Sequence, residues 1–423
     1  MIPSRILSCL FLWSVLCLGA ANAVPAIVPA AIAGESIRPE VGKPLQAAQD
    51  FIKQKNFKAA LAKIGEADGI SDKTAYETSL VDQLRGIAAA GAGDQATAIK
   101  SFESLLASGQ LATAEQLRFT QVIAELAYQA KDYPKAIIWA NRYYKDGGTD
   151  GQARKLIAQA YYLQNDFANA AKELQEQIRA EEHAGQSVPE EQVQLLANAY
   201  LKQNNTAGYT SALEKLVTIH PTPEYWADLI GHTANRSGFA DRLQLDVGRL
   251  ALATGTVKTA DRYVELAQLA LQAGLPGEAS AIIQKGTADG VLGSATGADA
   301  DRQKRLRALA TKSADEDLKT LPSSEREAAA AKDGTALVNT GLAYVGHGQP
   351  DKGVALIEQG LKKGGLKYPE DAKLHLGIAY LADGLKDKAV QILGKVEGSD
   401  GTADLARLWI LQIGPSSSGH HAE

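Results

Sequence analysis

Cysteine is nearly missing from this chain of 423 residues, and the two present, Cys9 and Cys17, both lie among its first 23 residues. The remainder has no thiolate nucleophile, no cysteine metal ligand and no disulfide. Aromatic residues make up only 6% of the chain, too few for an extended sugar-stacking path to be the leading reading. No charge sign dominates either, since 44 Lys and Arg face 49 Asp and Glu for a net charge of −5. A mildly acidic chain without a basic stripe excludes nucleic acid as a partner. Beyond residue 23 no apolar run approaches the ~20 residues of a membrane-spanning helix. Runs of β-branched residues are scarce, while alanine, glutamine and lysine abound, which favours helix.

Catalytic signatures are missing as well. The chain has no Gly-x-Ser-x-Gly elbow, no phosphate-binding Gly-x4-Gly-Lys loop and no His-Glu-x-x-His helix. His183, His220, His232, His347 and His375 are scattered without ligand spacing and read as surface or turn residues, and His420-His421 near the end read as nothing more. Asp299-x-Asp301 opens like a calcium loop, but Gln303 and Lys304 stand where further ligands and a glycine belong. Glu181-Glu182 and Glu190-Glu191 read as solvated helix ends. Arg302, Lys304, Arg305 and Arg307 read as one charged face of a helix. These absences predict a protein that is not an enzyme and holds no metal or cofactor.

What is present is a repeat. Ala158-x-x-Tyr161 is followed by Asn165-Asp166-Phe167, Ala170 and Leu174. The same order recurs from Ala48 through Phe51, Asn56, Ala60 and Ile64, from Gly341 to Ile357, and from Gly377 to Leu393. Weaker copies pass through Gly86, Ala124, Ala197 and Ala267. The small residues Ala60, Ala98, Ala136 and Ala170, with Tyr209 at the equivalent slot, are 34 to 39 apart, a period that marks one supersecondary unit repeated in a row. Ala158 and Ala170 allow two helices to approach closely, Tyr161 and Phe167 fill the space beside them, and Asn-Asp or Gly-Asp pairs suit the turn between. Tyr225-Trp226-x-x-Leu229 reads as a further first helix. Ser187-Val188-Pro189-Glu190 and Thr222-Pro223-Glu224 read as helix starts.

Arg154-x-x-Ile157-Ala158-x-x-Tyr161 with Ala170-x3-Leu174, and Lys373-x-x-Leu376-Gly377-x-x-Tyr380, resemble the tetratricopeptide repeat. The resemblance runs over roughly residues 38–413, excepting 288–333, and implies an all-α, right-handed superhelical solenoid of helix-turn-helix repeats. It also implies that the first helix of each repeat lines a concave groove. The inward positions are then Gln121, Glu125 and Tyr128 in the third repeat, Lys155, Gln159 and Tyr162 in the fourth, and Gln194, Asn198, Leu201 and Lys202 in the fifth. Of these, Gln121, Tyr128, Lys155, Gln159, Tyr162, Asn198 and Lys202 are the expected partner-binding residues: amides and lysines for a peptide, tyrosines for anchor area. Val338, Leu342, Val345, Leu374, Ile378 and Leu381 form a second, apolar surface that either docks a helix or is covered by the chain itself.

At the start, Arg5, the apolar stretch from Ile6 to Leu18 and Ala21-Asn22-Ala23 follow the pattern of a cleaved export signal. A lipoprotein acylated at Cys17 fits less well, because Val15 and Leu16 precede it. The expected organisation is a signal at 1–23, a disordered lead-in at 24–37, a repeat array at 38–287, a degenerate helical linker or repeat at 288–333, further repeats with a capping helix at 334–413 and a disordered tail at 414–423. The chain also looks like periplasmic repeat proteins of Gram-negative bacteria. The expected function is a periplasmic, non-catalytic scaffold that holds protein or peptide partners of the cell envelope, with secretion as the alternative location. The alternative role is a factor in polysaccharide secretion or cell-wall assembly.

Overall fold

The computed structural model describes residues 36–414. The expected export signal, nearly all of the lead-in and all but the first residue of the tail lie outside these residues. Among the described residues the regular structure is helical, with twenty α-helices and no strand. The fold class read from the repeats is the one observed, an all-α solenoid of helix-turn-helix units. The chain divides into two compact units, one up to Tyr209 and one from Thr210 onward.

Unit 1 contains α1 (Pro39–Lys53), α2 (Phe57–Asp68), α3 (Ala75–Ala92), α4 (Gln95–Ala107), α5 (Thr113–Gln129), α6 (Tyr133–Lys145), α7 (Gly151–Leu163), α8 (Phe167–His183), α9 (Glu190–Lys202) and the start of α10 (Thr206–Ile219). Each hairpin turn is built the same way. Lys55, Gly93, Lys131, Asn165 and Asn204 take left-handed φ values of 55 to 80° and end the first helix. The next residue, Asn56, Asp94, Asp132, Asp166 or Asn205, then accepts a hydrogen bond from an amide in the first turn of the second helix. One cap departs from expectation. Ser187 does not cap α9, whose N-cap is Pro189, a residue without a side-chain acceptor.

Small residues bring the paired helices together. A Cβ placed on Gly86 would stand 2.3 Å from the ring of Phe102, and Ala158 and Ala170 are fully buried in the hairpin of α7 and α8. First helices of adjacent hairpins also touch, α1 with α3 and α5 with α7. The first edge is fastened by Glu77, whose side chain is 0% exposed. It accepts from Arg38 (2.8–3.2 Å) and from the Thr74 amide (2.9 Å) in a capping box.

Unit 2 contains the rest of α10, α11 (Pro223–Ala234), a 3-10 turn at Asp241–Leu243, α12 (Gln244–Ala253), α13 (Ala260–Gln272), α14 (Pro276–Ala288), α15 (Gly297–Ala330), α16 (Thr335–Gly346), α17 (Pro350–Lys363), α18 (Pro369–Ala382), α19 (Lys386–Leu393) and α20 (Thr402–Ile413). Thr222 caps α11 by accepting from the Tyr225 amide at 3.3 Å. Elsewhere the turn chemistry changes. Glycines 274, 348 and 384 take the left-handed position, and the N-caps Leu275, Gln349 and Leu385 accept no capping bond from the helix backbone. Pro276 and Pro350 start α14 and α17 instead. Residues 288–333 hold the turn after α14 and the 34-residue helix α15, which packs on α13, α14 and α16 through Leu306, Ala310, Ala314, Leu321 and Ala328.

The array of unit 2 closes on itself. Helix α20 packs on α18 and α19, and on α12 from the first hairpin. Inside this closure Asp246 and Arg249 of α12 meet Glu278 of α14 and His375 of α18, with separations of 2.6 to 3.0 Å. Burial alone would raise the Asp246 carboxyl, but His375 and Arg249 outweigh it and hold the carboxyl well below the usual range. Two histidines read as surface or turn residues are therefore structural. His375 pairs with Asp246, and His347 is buried against Asp317 at 2.7 Å. Of the apolar positions on α16 and α18, Val338 and Leu374 are buried by the chain itself, and Leu342, Val345, Ile378 and Leu381 are half-buried.

Candidate functional site

Two cross-helix hydrogen bonds define the inward face of unit 1. The Gln121 side-chain amide on α5 donates to Asp150 at 2.9 Å, and Asp150 is the residue that caps α7. One helical stretch further along, the Tyr128 hydroxyl donates to the Gln159 carbonyl oxygen of α7 at 3.3 Å. The pairing follows from sequence. Gln121 and Tyr128 are seven residues apart, two turns of α5, and so share a stripe. Residues 155, 159 and 162 likewise share a stripe of α7.

Charge sharpens this face. Gln121 also donates to Glu125 at 3.1 Å, so one neutral amide serves two carboxylates. Burial by the surrounding helices raises the Glu125 carboxyl, the Gln121 bond opposes that shift and the charge of Asp150 adds to it. The Glu125 side chain nevertheless remains open to solvent. Tyr128 packs edge-on against Tyr133 (centroids 5.6 Å apart), and Tyr162 packs edge-on against Phe167 (5.2 Å), so both rings are fixed by their own hairpins. Burial raises the Tyr162 hydroxyl.

The seven expected residues are not all joined. Tyr128 and Gln159 bond to each other and Gln121 bonds separately to Glu125 and Asp150, with Tyr162 one turn beyond Gln159 and Lys155 half-buried on the same helix. Lys202 is exposed at the end of α9. Asn198 is only 4% exposed, and its amide donates to the Gln194 carbonyl of its own helix at 3.1 Å. It therefore presents little to a partner. Two contributors were not singled out in the sequence. Asp150 caps α7, with one carboxylate oxygen on the Gln152 amide and the other on Gln121. Leu163 is a large apolar side chain left 48% exposed beside Tyr162, and Leu201, on the adjoining first helix α9, is 37% exposed.

Among the described residues no group of three or more His, Cys, Asp or Glu side chains is placed to hold a metal ion, and no helix is long and apolar enough to cross a membrane. The basic cluster of α15 is exposed along the helix.

No curated protein matches the sequence. Solved structures with similar folds include the C-terminal part of a TPR repeat-containing protein from Cytophaga hutchinsonii. It has 14% identity and a TM-score of 0.33, with 61% of this chain and 98% of that one covered. The TPR2AB domain of yeast Sti1 in its pHSP90 complex has 14% identity and a TM-score of 0.24, with 71% and 99% covered. Yeast Tom70 has 10% identity and a TM-score of 0.23, with 88% and 95% covered. The family model of the tetratricopeptide repeat matches residues 84–151 and 338–402. Each of the two units thus carries a segment that matches tetratricopeptide repeats.

Proposed function

We propose that this protein is a non-catalytic scaffold or adaptor of the bacterial cell envelope, exported to the periplasm, which holds protein or peptide partners on the inward face of unit 1. The observation that carries the reading is the joined face of α5 and α7. Amides, carboxylates and fixed tyrosine rings stand side by side there, with exposed Leu163 at its edge. Amide and carboxylate groups satisfy a peptide backbone and its charges, and rigid aromatic and leucine surface supplies anchor area at low entropic cost. The neighbourhood of the tetratricopeptide repeat supports the reading, since such solenoids serve as interaction scaffolds. Export rests on the pattern of residues 1–23.

Crosslinking in intact cells, followed by affinity capture and mass spectrometry, tests this proposal. The wild-type chain should capture one or two envelope proteins that are lost from the Lys155→Glu/Tyr162→Ala variant, while both variants melt alike. Equal capture by both would remove the face of α5 and α7 from consideration. Co-purification of glycan without protein would give the lead to the polysaccharide reading, because hydroxyl-bonding amides beside tyrosines also suit sugars.

A further inference from the structure

In unit 2 most neighbouring helices are joined by a short turn, but the seam where α12 meets α18 and α20 joins segments 129 to 163 residues apart in sequence. Arg242, in the 3-10 turn before α12, sits at its centre. Its guanidinium reaches Asp371 through two nitrogens, at 2.7 and 3.0 Å, and Asp400 at 2.6 Å. The Tyr368 ring lies 4.2 Å from its central carbon. The Thr402 hydroxyl lies between the two carboxylates, 3.0 Å from an oxygen of Asp371 and 3.0 Å from one of Asp400, with one proton to donate. A planar cation held by a bidentate carboxylate, a second carboxylate and an aromatic face is a pocket shaped for a guanidinium group. Around it Arg236 donates to the Ser399 carbonyl at 2.7 Å and pairs with Asp404 at 2.7 Å, and the Ala240 amide donates to the Asp400 carbonyl at 2.8 Å.

We propose that unit 2 is a latched ring in which Arg242 acts as an internal ligand, and that its release frees α12 and the turn before it from α18 and α20. Asp371 and Leu374 stand at the second and fifth positions of the first helix of the last hairpin, counted with Gly377 as the eighth. In the closed ring the carboxylate of Asp371 is engaged by Arg242 and Leu374 is 0% exposed. Three features make this seam the first to open. It is non-local in sequence, so opening releases long loops. Its outer part, the pairs of Arg242 with Asp400 and of Arg236 with Asp404, is ionic and partly exposed, where salt and competing cations weaken it. The remaining seams of the unit keep their apolar contacts and covalent turns. The latch is independent of the groove of unit 1 and can be tested on the protein alone.

The test is hydrogen exchange read by mass spectrometry on the full chain. Arg242→Ala should speed exchange at 236–249 and 368–413 by roughly tenfold or more, leaving 260–363 unchanged. Excess methylguanidinium should restore protection in this variant, while methylammonium at equal ionic strength should not. In the wild type, methylguanidinium should open the seam more than an equal concentration of methylammonium. Unchanged exchange at the seam in Arg242→Ala would refute the latch. Faster exchange spread over every helix of unit 2 would also refute it, since Arg242 would then support the whole fold. Equal effects of the two cations on the wild type would overturn the guanidinium pocket.

Discussion

Glycine-to-alanine substitutions at two helical sites of unit 2 should change its stability in opposite directions. Gly341 lies within α16, where it faces α17. A Cβ there would stand 2.7 Å from Ile357 Cγ1, 2.8 Å from the Gly353 carbonyl oxygen and 3.2 Å from the Ile357 amide nitrogen. Two of these three atoms are backbone, so no rotamer change relieves the clash and α17 itself must retreat. Overpacking costs about 1–3 kcal/mol, and a rigid backbone neighbour places this site at the upper end. Alanine is better than glycine in a helix interior by about 1 kcal/mol. The net loss is then about 2 kcal/mol. Gly231, within α11, has nothing within 4 Å of the same position, so Gly231→Ala keeps only the propensity gain of about 1 kcal/mol. Urea unfolding of the full chain, followed by exchange of unit 2 amides, should separate the two variants by about 3 kcal/mol. If Gly341→Ala is neutral or stabilising, the backbone approach of α16 and α17 is wrong, and with it the register of that hairpin.

Other outcomes follow from the buried and capping groups. Arg249→Met should lower the stability of unit 2 by about 3–5 kcal/mol, because Asp246 and Glu278 would be left as buried carboxylates without their shared cation; a loss below about 1 kcal/mol in urea would mean they are solvated. The Glu77 carboxyl is lowered from 4.5 to about 2, chiefly by the Arg38 hydrogen bond. A depressed acid stabilises the fold above its unfolded pKa and loses that contribution as pH falls through the folded value. Exchange at α1 and the start of α3 should therefore rise as pH drops from about 4.5 to about 2, and Glu77→Gln should abolish that dependence. Asp132→Ala removes the acceptor for the Lys135 amide and should cost about 1 kcal/mol in the unfolding of unit 1; no change would mean that water replaces the cap without loss.

The hairpins were legible because their requirements are local. Asn165-Asp166 supplies one residue able to take a positive φ and one able to cap, and both roles are filled as the residue types suggest. Small residues at 86, 341 and 377 mark the crossings, where a Cβ would press on Phe102, Ile357 and Leu393, sixteen residues further on in each case. The inward face of unit 1 was legible in part. Gln121, Tyr128 and Gln159 come together because the helical period fixes which positions share a stripe. Asn198 shares that periodicity, yet it bonds to its own helix, a choice that spacing cannot encode. Asp150 joined the face through its place as a cap, where its side chain has an oxygen to spare for Gln121.

Closure of unit 2 was illegible for a different physical reason. A repeat pattern constrains the positions that face within a hairpin or toward the next one, and it says nothing about those that meet after a full circuit. Arg242 lies in a turn, Asp371 near a helix start and Asp400 before another, places where charged residues ordinarily face water. His375 and Asp246 lie on helices whose neighbours in sequence give neither a reason to be buried. Their meaning arises only when α12 and α18 are brought together, so that a carboxylate costly to bury alone becomes part of a satisfied network. A residue that departs from a repeat pattern without penalty to the hairpin is therefore the place to look for contacts that turn an array into a ring. In this chain those residues are ionic, and the partly exposed ones around Arg242 are more readily undone than the buried network of Asp246, Arg249 and His375.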